Sequence, residues 1–397
     1  PSGLTNTLYP TWIFSLDDVV ISSSATPTAT AYYKAESRAN GKSATARGDY
    51  TSILDAGYNS FTTPLFGGFD GLNITEIEPF RNSAILSTED EFTNYAYNTI
   101  KQALDSVADP EVVEYNLLTM PGLTNSSLTQ QIINVCEDRA DSLAVIDLAD
   151  AYVPFTENTQ SFKDRVSTPA SAIAALTSRQ INSSYACTYY PWVQVRDSNS
   201  ARPLWVPPSV IALGVMANSE AKSEVWFAPA GFNRGGLTEG SAGLPVTGVT
   251  YKLISKERDS LYEASVNPIA SFPSEGIVVF GQKTMQVERS ALDRINVRRL
   301  MIYIKKQVSR ISSTLLFDQN VSVTWDRFLN RVNPFLASIQ SRLGLTEFRV
   351  ILDDTTTTPD LVDQNIMYAK IFLKPARSIE FIAVDFVITR SGASFDD

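Results

Sequence analysis

The run Gly281-Gln282-Lys283-Thr284, followed after five residues by Ser290-Ala291-Leu292-Asp293-Arg294-Ile295-Asn296-Val297-Arg298-Arg299-Leu300, decides the fold of the last third of this chain. A short apolar run at 276–280 precedes it and predicts a buried strand that ends at the Gln-Lys-Thr element. Ser290 and Asp293 have the spacing of a capping box, which predicts the start of a helix. The sequence therefore predicts a strand, a short connection and a helix that begins near Ser290.

The predicted helix has two chemically different sides. Arg294, Arg298 and Lys305 recur along one line, at spacings of four and seven residues. The opposite side is apolar and carries Leu300, Ile304, Val308 and Ile311. Between Arg294 and Arg310 there are six basic residues and no acidic one, although the whole chain has a net charge of −10. This local reversal of sign predicts that the basic face meets a negatively charged partner.

The composition is that of a globular protein with room for more than one domain. The 397 residues have a pI near 4.8, which argues against a nucleic-acid-binding protein. No window reaches the roughly 18 uninterrupted apolar residues of a membrane span, so we expect no membrane insertion. The first six residues lack both the basic and the apolar region of a signal peptide, and there is no initiator Met. We therefore expect the chain to start within a longer protein.

The sequence offers few groups for catalysis. It contains no histidine, and its two cysteines, Cys136 and Cys187, lack the spacing of metal ligands. We expect two buried thiols in a cytoplasmic protein, with no cofactor and no metal. The remaining candidates are Asp147, Asp150 and Asp164, near the C-terminal end of a predicted parallel strand, where α/β proteins often place active sites. Solvated loop carboxylates are the simpler interpretation, and a hydrolase that uses Asp147 or Asp150 stays open as the alternative function.

The predicted elements divide the chain into three parts. Residues 1–66 are rich in Ser, Thr, Ala and Tyr and contain two strand-like pieces, at 9–21 and 28–35. Residues 67–204 alternate helices and strands, which predicts an α/β domain with a parallel sheet. Residues 205–397 predict an α+β domain that ends in a strand. The predicted fold class is an α/β central domain with a parallel sheet plus an α+β C-terminal domain and a β-rich N-terminal piece.

A second distinctive stretch is Val225-Trp226-Phe227-Ala228-Pro229-Ala230-Gly231-Phe232-Asn233-Arg234-Gly235. We predict a short strand that Pro229 stops, followed by a tight loop. In that loop Gly231 and Gly235 permit positive φ, and Arg234 ties down loop carbonyls. The loop is therefore expected to be structural.

Several stretches together resemble the contractile tail sheath proteins of bacteriophages. They are the loop above, the preceding Trp205-Val206-Pro207-Pro208-Ser209, the Asn267-Pro268-Ile269 run, the run at 281–300, and Lys374-Pro375-Ala376-Arg377-Ser378-Ile379. The resemblance implies a structural, non-enzymatic subunit that assembles as stacked hexameric rings in a helical sheath, without a cofactor. The implied partners are other copies of the chain, a tail tube protein, and baseplate and tail terminator proteins. The implied location is the virion tail, assembled in the host cytoplasm.

The resemblance also implies roles for two segments. The helix with Arg294, Arg298 and Lys305 would line the inner wall of the sheath and contact the tube, while an intramolecular or neighbouring-sheath partner stays open. Sheath proteins donate terminal arms to neighbours, so the terminal strand would pair with an adjacent subunit, through Ile379, Phe381, Ala383, Val384, Phe386 and Val387. The implied mechanism is contraction, in which a metastable sheath repacks nearly rigid subunits and drives the tube through the target cell envelope.

Overall fold

The computed structural model describes most of the chain beyond its N-terminal quarter. The described residues are Val19–Val20, Tyr32–Tyr33, Asn82, Ile85, 95–197 and 201–380. The chain divides into two compact units, Pro1–Asn73 and Ile74–Asp397.

The first unit is described by two short strands. Strand β1 (Val19–Val20) pairs antiparallel with β2 (Tyr32–Tyr33). The two strands fall within the strand-like pieces predicted at 9–21 and 28–35. The rest of the predicted β-rich piece, 1–66, lies outside the described residues.

The second unit alternates helices and strands. In chain order it contains α1 (Tyr95–Ser106), β3 (Leu117–Leu118), α2 (Ser126–Arg139), β4 (Leu143–Ile146), α3 (Phe162–Arg165), α4 (Pro169–Ser178), β5 (Ala186–Tyr190), β6 (Val193–Arg196), β7 (Pro203–Val206), α5 (Pro208–Lys222), β8 (Val246–Val249), α6 (Ser255–Glu263), β9 (Asn267–Phe272), β10 (Gly276–Val279), α7 (Ile295–Ser313), α8 (Ser322–Ser341), β11 (Leu345–Ile351), α9 (Pro359–Asp363) and β12 (Lys370–Pro375). A 3₁₀ turn, Ala291–Asp293, precedes α7. No helix among the described residues is both long and apolar enough to cross a membrane.

Five strands form the central sheet, in the spatial order β10-β9-β5-β4-β3. Strands β3, β4, β5 and β9 run parallel, and β10 pairs antiparallel with β9. Every residue of β4 and β5 is buried, as expected for parallel strands that are covered on both faces. Because β9 and β10 follow residue 205, the sheet takes strands from both sides of the predicted domain boundary. The boundary itself stays a prediction.

Two further sheets of this unit are antiparallel, the three-stranded β7-β6-β8 and the two-stranded β11-β12. One hydrophobic core joins the central sheet to α5, through buried residues such as Leu143, Ile211 and Val279. A second core joins α7 to α8 and β11. The predicted apolar face of α7 lies in or against this second core, with Leu300 and Ile304 buried and Val308 and Ile311 partly buried.

The predicted strand at 225–229 is wrong, because this segment forms turns. Trp226 points inward, is 4% exposed, and belongs to the core of α7 and α8. Its indole Nε1 donates to the carbonyl oxygen of Arg342 at 3.0 Å. The apolar side chains of this segment therefore fill a helical core and do not pair in a sheet.

The predicted start of the basic helix is also corrected. Ser290 caps the 3₁₀ turn by accepting a hydrogen bond from the Leu292 N–H, and α7 begins only at Ile295. Between them Arg294 is extended, with φ −116° and ψ 136°. The Ile295 N–H donates to the Gln282 carbonyl at 2.8 Å, which fixes the start of α7 against the segment that follows β10.

Candidate functional site

Arg294, the first residue of the predicted basic face, is paired within the subunit. Its Nε donates to Glu380 Oε1 at 2.6 Å, and its Nη1 lies 3.0 Å from Asp293 Oδ2. The side chain is 25% exposed. Two carboxylates of the same chain therefore meet its charge.

Arg298, one helical turn further on, is buried. It is 6% exposed, its guanidinium carbon lies 3.9 Å from the centroid of the Tyr185 ring, and its Nη2 hydrogen-bonds with Ser184 Oγ. Burial lowers the pKa of this guanidinium, because the charged form loses hydration. A charge enclosed in this way is not presented to a partner.

Lys305, in contrast, is exposed and takes no part in the ion pairs formed among the described residues. Arg294, Arg298 and Lys305 therefore do not share one exposed face, and that part of the prediction is wrong. The first turns of α7 lie under the segment that leads into β5, which helical spacing alone does not reveal. Contact between this helix and a tube stays a prediction.

Most of the other basic residues of α7 meet acidic groups from distant parts of the chain. Arg299 Nη2 lies 2.7 Å from Glu220 Oε2, Lys306 Nζ lies 3.6 Å from Asp141 Oδ2, and Arg310 pairs with Glu114. The open intramolecular alternative thus accounts for most of this positive charge. Sequence reasoning left this alternative open but could not identify the acidic partners, because they are 79 to 196 positions away along the chain.

The loop at 229–235 is fastened to β10 by its backbone. The Gly231 N–H donates to the Val279 carbonyl at 2.8 Å, and the Val279 N–H donates to the Gly235 carbonyl at 2.9 Å. Gly231 has φ +81°, and a Cβ on Gly235 would lie 2.8 Å from the Val279 oxygen. Both positions therefore require glycine, one for its conformation and the other for its close approach to the strand.

Two side chains complete this loop. Arg234 Nε donates to the Ala228 carbonyl at 3.0 Å, and its guanidinium carbon lies 5.1 Å from the centroid of the Phe227 ring. Pro229 is buried. The loop covers the outer edge of β10 and orients the turn that carries Trp226.

Asp147, the strongest candidate for catalysis, is buried and fully engaged. Its Oδ2 accepts from the Gly122 N–H at 2.8 Å and from Ser209 Oγ at 2.6 Å, and its Oδ1 accepts from the Ser209 N–H at 3.1 Å. Burial raises its pKa to about 6, although these hydrogen bonds favour the carboxylate. The carboxyl group joins the turn at Gly122 to the first turn of α5.

The other two candidate carboxylates do not join Asp147 in a site. Asp150 and Asp164 are exposed, and Asp164 Oδ2 accepts from Ser161 Oγ at 2.5 Å. No cluster of potential metal ligands occurs in the part of the chain that the structure describes.

The described chain ends in a short segment beside a cavity of about 320 Å³. Ser378, Ile379 and Glu380 line the cavity on one side, and Ala228 and Phe280 are among the residues on another. Ile379 is 82% exposed. The remaining residues of the predicted intersubunit strand, Phe381, Ala383, Val384, Phe386 and Val387, lie outside the described residues.

Sequence reasoning missed the role of Glu380. Its carboxylate accepts hydrogen bonds from Arg294, Tyr262 and Gln282, which belong to three separate segments. The sequence shows Glu380 only as a polar residue within an apolar run, and nothing marks its partners.

Comparisons with known proteins agree on one family. A model of the phage tail sheath protein central domain matches residues 93–285, and a model of the phage tail sheath C-terminal domain matches residues 288–389. The chain is 30% identical over 305 residues to the tail sheath protein of Vibrio phage KVP40. That alignment covers 74% of this chain but 44% of the relative, so the chain spans less than half of the relative's length.

Solved structures share the fold of this chain. A chain in the 6-fold symmetrised baseplate of the anti-feeding prophage matches with a TM-score of 0.57 at 21% identity, covering 73% of this chain and 74% of that one. The helical sheath of the same particle, in its contracted state, matches with a TM-score of 0.55 at 22% identity, covering 75% and 76%. At these identities the likeness shows the fold alone.

Proposed function

Because the chain belongs to the phage tail sheath family, we propose that it is a structural subunit of a contractile tail sheath. The subunits stack as hexameric rings around a tail tube, and contraction drives that tube through the envelope of the target cell. Besides other copies of the chain, the partners are the tube protein and the baseplate and tail terminator proteins. The subunit is a component of the virion tail, is assembled in the host cytoplasm, and is not an enzyme.

The observation that carries this proposal is the match of two sheath domains, in order, to 93–285 and 288–389. The fold that the chain shares with the contracted helical sheath of the anti-feeding prophage supports it. The alternative, a hydrolase that uses loop carboxylates, has no support among the relatives. It also meets a physical difficulty, since the Asp147 carboxyl group is buried and already holds three hydrogen bonds.

The proposed mechanism needs no nucleotide. Sheath contraction repacks subunits that stay nearly rigid, and the energy comes from the difference between two packings. The central domain is the α/β part with its parallel strands, and the C-terminal domain is the α+β part. The two buried cores of the second unit support such a rigid body.

We propose that α7 contacts the tube, and that it does so through Lys305 and not through Arg294 and Arg298. Lys305 is exposed and takes no part in the ion pairs formed among the described residues, whereas Arg294 and Arg298 are engaged inside the subunit. Exposed charges of this kind set encounter and register more than affinity. The tube surface opposite Lys305 would therefore carry acidic groups.

For contact between subunits, the segment from Ile379 to Val387 of one copy adds a strand to another copy. Sheet β11-β12 is a suitable acceptor, because it has two strands and both of its outer edges are unpaired among the described residues. Main-chain hydrogen bonds would supply affinity, and alternate side chains such as Phe381 would supply specificity.

Negative-stain electron microscopy of the purified protein tests the proposal. A sheath subunit is expected to form tubular or helical polymers, because each copy offers both a strand and an acceptor edge. Discrete particles at all concentrations and ionic strengths, together with a hydrolytic activity that depends on Asp147, would replace the proposal with the enzyme alternative.

A further inference from the structure

The carboxylate of Glu380 is the meeting point of three side chains. Arg294 Nε donates to Oε1 at 2.6 Å, Tyr262 OH donates to Oε2 at 2.9 Å, and Gln282 Nε2 donates to Oε1 at 3.2 Å. Tyr262 lies in the last turn of α6, Gln282 follows β10, and Arg294 precedes α7. One acidic residue near the end of the described chain thus binds three segments that lie 86 to 118 positions away from it in sequence.

The surroundings of Glu380 favour a stable contact. Its side chain is 16% exposed and that of Arg294 is 25% exposed, so water screens the pair only in part. Burial, together with the Glu380 charge, raises the pKa of Tyr262, so that its hydroxyl keeps the proton that it donates. Lys283 supports the same tyrosine, with Nζ 4.4 Å from the ring centroid and 2.6 Å from the Tyr262 carbonyl oxygen.

The residues just before Glu380 are held much less. Among the described residues after β12, the backbone hydrogen bond furthest along the chain runs from the Ala376 N–H to the Gly344 carbonyl at 3.1 Å. Arg377, Ser378 and Ile379 are exposed, although Ser378 Oγ hydrogen-bonds with Gln282. Within residues 376–380, Glu380 therefore makes the largest number of side-chain contacts with the rest of the subunit.

We propose that Glu380, with Arg294, Tyr262 and Gln282, forms a clamp that fixes the root of the C-terminal segment to the subunit. The clamp also joins the two matched sheath domains, because Tyr262 and Gln282 lie within 93–285 while Arg294 and Glu380 lie within 288–389. Its consequence for assembly rests on the proposed function. The clamp sets the point and direction from which the segment reaches a neighbouring subunit, so Glu380 is a positioning residue.

Release of the clamp would detach the four residues 377–380 and move the fixed root of the C-terminal segment back to Ala376. At up to about 3.5 Å per residue this adds about 14 Å of reach. A longer tether spreads the segment over a larger volume and lowers its effective concentration at the acceptor edge. While the clamp is closed, the segment starts from one fixed point on the subunit. It therefore reaches one acceptor position more readily than the other positions that a longer tether would also reach.

A nitroxide label at position 379 reports directly on the clamp. Ile379→Cys places the label on an exposed side chain, and the two native cysteines are buried. In the otherwise unchanged, dispersed protein we expect a largely immobile spectrum. Glu380→Gln and Arg294→Gln should each raise the ratio of mobile to immobile label about tenfold, as expected for loss of a charge-assisted hydrogen bond. The double variant should add little, because both changes break the same contact.

The matched control is Arg327→Gln, which removes an exposed ion pair in which Arg327 Nη1 lies 3.6 Å from Asp318 Oδ2. This change should leave the label unaffected. The Arg294 side chain makes no capping hydrogen bond to α7, so its replacement should leave the start of the helix intact. A thermal melt of each variant checks that the fold is unchanged. Unchanged label mobility in both the Glu380 and the Arg294 variants would overturn the clamp.

The outcome also separates the clamp from the proposed function. If the label is freed and assembly falls, the clamp and its positioning role are both supported. If the label is freed but polymers form at the same rate and with the same regularity, the positioning role is refuted. If the unaltered protein forms no polymers, the proposed function fails, whereas the label still decides whether the clamp exists.

Discussion

Replacement of Asp147 by Ala separates a structural carboxylate from a catalytic one. The change deletes both acceptor oxygens that hold the Gly122 N–H, the Ser209 N–H and Ser209 Oγ. Because Asp147 is 1% exposed, water does not replace them freely. The hydroxyl of Ser209 can turn to another acceptor, but the two backbone N–H groups cannot.

The expected cost follows from those two donors. A buried donor that is left without an acceptor costs about 1–3 kcal/mol, so Asp147→Ala should lower the free energy of unfolding by roughly 2–4 kcal/mol at pH 7.5. Asp164→Ala is the control, because Asp164 is exposed and holds only Ser161 Oγ. It should change stability by no more than about 0.5 kcal/mol.

The pH dependence gives a second, independent test. In the folded protein the Asp147 pKa is raised from its ordinary value of 3.8 to about 6, so the native state binds this proton more tightly than the unfolded state. The proton-linked part of the stability that this group contributes is then present at low pH and is lost as the pH rises through 6, whereas the part that comes from its hydrogen bonds remains. The deficit of Asp147→Ala should therefore be about 1.4 kcal/mol larger at pH 5 than at pH 7.5.

Urea unfolding at the two pH values, followed by circular dichroism and tryptophan fluorescence, measures both quantities. Two results would refute the structural role of Asp147: a variant as stable as the parent at both pH values, or a deficit that grows as the pH rises. Either result would favour the alternative function, a hydrolase that uses Asp147.

Three further predictions concern the loop, the basic helix and the terminal segment. Gly235→Ala should destabilise the protein by about 1–3 kcal/mol in a thermal or urea melt, because its Cβ would meet the Val279 oxygen at 2.8 Å. An unchanged melt would contradict this requirement for glycine and show that the loop moves to accommodate the methyl group. Lys305→Glu should have the same melting curve as the parent protein but should co-sediment more weakly with purified tubes at low salt. Arg298→Glu should unfold the protein, and a melting curve equal to that of Lys305→Glu would contradict the burial of Arg298. Truncation after Glu380 keeps the clamp, so it should leave a normal melt and no polymers, and polymers of normal appearance would exclude the terminal strand as the link.

The sequence predicted the parts of the fold that depend on local pattern. The apolar runs that became β4, β5 and β10 are short and bounded by turn residues, and the apolar face of α7 recurs at helical spacing. Gly231 and Arg234 of the 229–235 loop were recognised because their requirements are local: positive φ at Gly231 and a nearby carbonyl for Arg234. The predicted positive φ at Gly235 is wrong, because this glycine is required for its close approach to Val279, which is distant in sequence.

Long-range partners were beyond the reach of such patterns. Arg298 and Lys305 are equivalent on a helical wheel, yet one lies under Tyr185 and the other is exposed, which depends on what packs over each turn. The positive charge of α7 is mostly met by Glu220, Asp141 and Glu114, none of which is near it in sequence.

Electron microscopy of the assembled particle, with an epitope tag on this chain, tests the central claim most directly. Antibody to the tag should decorate the outer tubular layer of the tail along its whole length. After triggering, that decorated layer should become shorter and wider while an undecorated tube protrudes from it. Decoration confined to another part of the particle, or a decorated layer whose length stays constant when the tube emerges, would contradict the assignment of this chain as the contractile sheath subunit.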